Sequence, residues 1–298
     1  MFLCCVKGMV LLDVREIVQK FDAMLAEGRV SEAGRWLEEA AEECRKYGDY
    51  ASCVTVFNEL EGFWRAAGSK EKSFAAAQTA LALLESAGLE GGADYATALL
   101  NYATAKAAFG CAGEALELFR RTEAIYDAQL EEDDYRFASL YNNMAQSLLR
   151  MGNSSEAASY FNKSLALLEH KEDTESEKAT CRVNISFCFM AEKRFDEARS
   201  SLEDAENIFS SVPNDPHISS MLAARGQLEY MLGNYKTSAD YYERAALSTE
   251  KKFGKSGRVY VTLCRNCAKA YEAAGNFEKA ELMSQTARDA EAAEKRHI

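Results

Sequence analysis

Small residues recur along this chain at a fixed interval. Ala33, Ser73, Ala115, Ala157, Ala198, Ser238 and Ala280 each lie five residues beyond a turn position, and Ala40, Ala80, Thr122, Ser164, Ala205, Ala245 and Ala287 lie twelve beyond it. The turn positions are Gly28, Gly68, Gly110, Gly152, Lys193, Gly233 and Gly275, separated by 40, 42, 42, 41, 40 and 42 residues. Large apolar residues keep the same register. Leu37, Phe119, Phe161, Leu202 and Tyr242 stand nine beyond the turn; Met24, Trp64, Leu148, Phe189 and Tyr271 stand four before it, where Lys106 and Glu229 are exceptions. Small side chains let two helix axes approach to roughly 8–10 Å. The large ones fill the space left over.

Each unit therefore reads as a helix, a tight polar turn (GNSS at 152–155, GNYK at 233–236, GNFE at 275–278) and a second helix. Charged or proline-bearing connectors join the units, such as HKEDTESEK at 170–178 and SVPNDPH at 211–217. The 298 residues include only 2 Pro, Pro213 and Pro216, so little interrupts helix elsewhere. About fourteen antiparallel helices and no sheet are expected. A period near 41 residues is the mark of a solenoid.

Segments such as YNNMAQSLLRMGNSSEAASYFNKSLALLE and LEYMLGNYKTSADYYERAAL resemble tetratricopeptide repeats, in the long-repeat variant found in kinesin light chains. The resemblance is strong over about 90–265 and weaker in the first unit, where Lys20 takes a usually apolar place. It implies an all-α, right-handed α-solenoid of about seven helix-turn-helix repeats. These fall near 13–50, 53–88, 95–130, 137–170, 178–210, 218–252 and 260–295, in a single domain over 1–298. It also implies that the first helices line a concave groove, and that the groove binds peptides.

In that family's register, residues thirteen, ten, nine and six before the turn face the groove. Nine before stand Asn101, Asn143, Asn184 and Asn266; thirteen before, six of seven residues are hydroxyls, among them Thr97, Ser139, Thr180 and Thr262. Hydroxyl and amide are four apart, on one helical face. Asn142, Gln146, Phe187, Gln227, Tyr230, Arg150 and Arg265 complete the candidate peptide-binding set. Two readings compete. The hydroxyls cap the first helices and the amides bond a neighbouring helix, or each amide offers a donor and an acceptor to a guest peptide bond. Capping is the stronger reading for the hydroxyls, and guest binding for the asparagines. Four such bonds give about 2–6 kcal/mol at about 0.5–1.5 each, which suits micromolar affinity. Phe187 and Tyr230 are candidates for side-chain pockets, or for packing between repeats.

Groove-register cations are Arg15, Arg65, Arg150, Arg265 and Lys269, against Asp22, Glu59 and Glu272. On a chain of net charge −12 this favours a guest of some acidic character. The carboxylate clamp of chaperone-binding relatives is not found, since Leu100 and Val183 stand where basic residues belong.

The remaining chemistry narrows the choice. Net acidity argues against nucleic acid, and no run of 18 apolar residues suggests a membrane span. The opening MFLCCVKGMVLL is broken by Lys7 and lacks a cleavage-site pattern, so no secretion signal is expected; Met9 offers an alternative start. Nine scattered Cys suit a reducing, cytoplasmic setting. Cys264 and Cys267 share a helix face and read as core rather than half a zinc site, and vicinal Cys4–Cys5 as an end-of-chain oddity. His170, His217 and His297 have no metal-ligand spacing, and no phosphate loop is present. No enzyme, cofactor or metal is expected. The leading reading is a non-enzymatic scaffold or receptor for an extended peptide, as a monomer. A sensor arm for a small molecule or short peptide, or a structural oligomeriser, stand as alternatives.

Overall fold

The computed structural model describes residues 3–6, 9–169, 171–255 and 257–297, with side chains over 13–293 except at 170 and 256. Residue 170 (His170) and the side chains of Cys4, Cys5 and His297 lie outside what is described. Two compact units are present, Met1–Met151 and Gly152–Ile298.

The first unit begins with a hairpin of β1 (Leu3–Val6) and β2 (Met9–Leu12), paired antiparallel with Leu3 opposite Leu12 and Val6 opposite Met9. The sequence reading expected no sheet. LCCV and MVLL are two short apolar runs either side of a two-residue Lys-Gly link, which is the pattern of a hairpin rather than of a broken helix. Seven helices follow: α1 (Val14–Ala26), α2 (Val30–Tyr47), α3 (Tyr50–Ala66), α4 (Lys70–Ser86), α5 (Ala93–Ala108), α6 (Ala112–Gln129) and α7 (Arg136–Arg150). The second unit holds α8 (Ser154–Glu169), α9 (Glu175–Ala191), α10 (Phe195–Ser211), α11 (Ile218–Met231), α12 (Tyr235–Phe253), α13 (Arg258–Ala273) and α14 (Phe277–His297). By class this is an all-α solenoid of about seven helix–turn–helix pairs.

The turns explain the register. In six of them the residue after the turn position donates its N–H across the helix end at 2.9 Å: Arg29 to Met24, Ser69 to Trp64, Cys111 to Lys106, Arg194 to Phe189, Asn234 to Glu229 and Asn276 to Tyr271. That closure needs a left-handed residue at the turn. Glycine supplies it at φ 74 to 86°, and Lys193 does so at φ 60° despite its Cβ. All fourteen small register residues are buried, as are Leu37, Phe119, Phe161, Leu202 and Tyr242. Where Lys106 replaces the apolar residue four before the turn, it pairs with Glu114 at 2.7 Å and lies over the Phe74 and Tyr102 rings. Lys20, in a usually apolar place, sits 3.6 Å above the Trp36 ring, whose Nε1 donates to the Ile17 carbonyl.

Within each unit, each helix packs on its chain neighbours. In the first unit α1, α3, α5 and α7 also touch one another in succession, and in the second α9 touches α11. The first helices of the first unit, and α9 with α11 in the second, thus form layers of their own, and these carry most of the polar stripe.

Candidate functional site

The hydroxyls do not cap. The N-cap positions of α5, α7, α9, α11 and α13 are Gly92, Tyr135, Thr174, His217 and Gly257, and the stripe hydroxyls lie about a turn further in. The capping reading is therefore corrected. Thr97 and Thr262 donate back to the carbonyls of Ala93 and Arg258, at 3.0 and 2.7 Å, the local bond that Thr makes inside a helix. Thr97 also accepts from the Tyr126 hydroxyl at 3.1 Å. Ser139 is half-buried on α7. The Thr180 hydroxyl is shut from solvent without a hydrogen-bond partner.

The asparagines divide. Asn143 Nδ2 donates to Thr104 Oγ1 of α5 at 3.2 Å, and Asn142 Nδ2 makes a long 3.4 Å contact to Asn143 Oδ1. Asn143 thus bonds a neighbouring first helix. Asn101, Gln146, Gln227 and Asn266, by contrast, make no side-chain hydrogen bond among the described residues. Asn184 is half-buried on α9. The aromatics divide as well. Phe187 packs against the core of the second unit, whereas Tyr230 remains 40% exposed with its ring 5.2 Å from that of Tyr235.

The stripe cations are mostly engaged. Arg150 donates to the Ala107 carbonyl at the end of α5, at 2.8 Å; Arg265 pairs with Glu291 at 2.7 Å; Arg65 pairs with Glu61 at 2.9 Å. Glu61 is 1% exposed, and burial pushes its carboxyl above the usual range against the pull of Arg65 and Ser73. Burial, then the nearby Asp22, raises Glu59 as well. Arg15 and Lys269 are exposed with no ion pair among the described residues.

One feature escaped the sequence reading. Between α3, α4 and α5 lies a hollow of about 350 Å3, lined by Tyr50, Val54, Thr55, Asn58, Leu83, Leu84, Leu89, Asp94 and Thr97. Asn58 stands ten residues before Gly68, as Asn142 stands ten before Gly152, and that shared place was the available signal. A larger hollow of about 780 Å3 lies along α1 and α2, between Glu16, Lys20, Trp36, Glu39, Glu43 and Lys46.

Cys264 and Cys267 lie in the second core, and burial raises both thiols, Cys267 to about 12. Their Sγ atoms are thus packed and protonated. His217 Nδ1 sits 2.9 Å from Asp215 Oδ1 in an exposed connector. Among the described residues no group of His, Cys, Asp and Glu could hold a metal ion. Nor is any described helix long and apolar enough to cross a membrane.

Paired helices, left-handed turns and a small-residue register together define a helical-repeat protein built for surface recognition. The tetratricopeptide-repeat model matches residues 94–170 and 177–246, and the chain is a tetratricopeptide-repeat protein. It is similar to Protein KINESIN LIGHT CHAIN-RELATED 2 of Arabidopsis thaliana, with 27% identity over 180 residues. That match takes in 57% of this chain and 27% of the relative, so the chain spans about a quarter of that protein's length. Among solved structures, a Rap protein complexed with Competence and Sporulation Factor superposes with a TM-score of 0.72 at 14% identity, covering 95% of this chain and 76% of that one. BtubC (BKLC) from P. vanneervenii superposes at 0.55 with 19% identity, covering 77% and 91%. At such identities the likeness is one of fold.

Proposed function

We propose that this protein is a non-enzymatic scaffold that holds a protein or peptide segment along the polar stripe that the first helices carry within a unit. The observation that carries the reading is the amides on the first helices, Asn101 and Gln146 in the first unit and Gln227 and Asn266 in the second, that no described residue satisfies. Each offers a donor and an acceptor without a desolvation penalty from a lost internal mate. A Rap protein of the same fold is complexed with Competence and Sporulation Factor, which supports the capacity of such a fold to hold a guest and says nothing of which guest.

Two finer readings accompany it. The seven cysteines whose side chains are described are all free thiols, which supports a reducing, cytoplasmic setting and a monomer without disulfide bridging. Selection for an acidic guest rests on Arg15 and Lys269, since Arg65, Arg150 and Arg265 spend their donors inside the chain. Selection of dodecapeptides from a random library on the full chain, followed by titration, tests the function. Enrichment of a convergent motif is expected, and failure to enrich any peptide would overturn the reading.

A further inference from the structure

We propose that the hollow between α3, α4 and α5 is a subsite for one lysine or arginine side chain of the bound segment. The proposal rests on the peptide-binding reading and names the chemistry of one position in the guest.

The walls suit an alkyl stem. Val54, Leu83 and Leu84 line the hollow, and Leu89 is 51% exposed in the connector at its rim. A volume of about 350 Å3 falls at the small end of ligand pockets, room for one long side chain and its hydration. Two groups in the lining suit an N–H donor, an amide oxygen and a carboxylate. Asn58 Oδ1 is shut from solvent and receives no hydrogen bond. An unpaired buried acceptor is costly, so a ligand N–H placed there gains more than an ordinary exchange with water. The Asp94 carboxylate is exposed and has no ion pair among the described residues. Tyr50, 60% exposed with no ring partner, offers a π face to a cation.

No basic residue lines the hollow. Two cations on neighbouring helices are committed: Arg136 pairs with Asp134 at 2.8 Å and feels Asp94 only weakly, and Arg121 donates to the Tyr95 hydroxyl at 2.9 Å. A guest carboxylate would face the like charge of Asp94. A purely apolar side chain would fill the walls and leave Asn58 Oδ1 unpaired. An alkylammonium or alkylguanidinium answers both the walls and the acceptors.

The test uses the full chain and peptides enriched from a random dodecapeptide library. One position fixed as lysine or arginine is expected. Replacing it with norleucine should weaken binding to the wild type about tenfold, as losing one charge-assisted bond does. The same replacement should cost less than about twofold on Asp94→Asn, an exposed change that leaves the core untouched. Asn58→Leu should shift the enriched residue toward an apolar one, and circular dichroism reports whether that variant folds. Enriched peptides with no basic position, or a basic position equally sensitive in Asp94→Asn, would overturn the subsite and leave peptide binding intact. An acidic or apolar residue fixed there in the wild type would do the same. A library that enriches nothing would remove the groove reading and the subsite with it.

Discussion

Asn101 and Asn143 hold equivalent places in successive repeats, and the structure gives them opposite roles. Asn143→Ala removes the 3.2 Å bond to Thr104 and the long contact from Asn142. One sound neutral bond is worth about 0.5–1.5 kcal/mol net. Alanine returns up to about 0.7 kcal/mol as the better helix former. Asn143→Ala should therefore fall between neutral and a loss of about 1 kcal/mol. Asn101→Ala loses no bond and should gain up to about 0.7 kcal/mol. The cleaner number is the coupling between Asn143 and Thr104. Thr104 also donates to the Leu100 carbonyl at 2.8 Å, and a double-mutant cycle with Thr104→Ala cancels that loss. Urea unfolding of the four proteins should give a coupling of about 0.5–1.5 kcal/mol. A coupling below about 0.3 kcal/mol would show that the bond contributes nothing in solution. A loss of more than about 1 kcal/mol in Asn101→Ala would show that Asn101 is structural, and would remove it from the groove.

Three further outcomes follow from the packing. Glu61 has a folded-state pKa raised above its ordinary 4.5, and Glu59 has the same sign, so each favours the native state most at low pH and loses that contribution as pH rises through its folded value. Glu61→Gln should flatten the decline in urea midpoint between pH 4.5 and neutrality, and an unchanged slope would show that its carboxyl is not held in the core. Lys193 carries the left-handed turn at φ 60° where other repeats use glycine, so Lys193→Gly should stabilise by about 0.5–1 kcal/mol, and a loss of stability would contradict the strain argument. Cys264 and Cys267 should resist alkylation in the native protein, as peptide mapping would report, and metal analysis should find no stoichiometric zinc; rapid labelling of either thiol would place it outside the core.

The repeat was legible because its cause is local. Glycine at the turn and small residues five and twelve beyond it are each demanded by one backbone conformation or one close approach. The hydroxyls misled because capping and the first internal turn differ by only a few residues: Thr97 sits five residues past the cap at Gly92, where its hydroxyl donates back along the helix to Ala93. What separates Asn143 from Asn101 is Thr104, 39 residues away in the chain and visible only once α5 and α7 are side by side. Arg150 likewise looked free for a guest, and its partner is the Ala107 carbonyl, 43 residues earlier. The hollow around Asn58 escaped because three helix ends build it, and no single helix carries its pattern. The hairpin was hidden by brevity, since two runs of 4 residues are too short to reveal a period.

Guest binding on the first-helix stripe is tested most directly by titrating one library-selected peptide into the wild type and into the double variant Asn101→Ala, Gln146→Ala. Neither side chain has a hydrogen bond to lose among the described residues, so the melting temperature should fall by no more than about 2 °C. Loss of two guest bonds at about 0.5–1.5 kcal/mol each should weaken binding by about 5- to 150-fold. Unchanged affinity in a folded double variant would place the guest elsewhere on the protein and contradict the stripe as the binding surface.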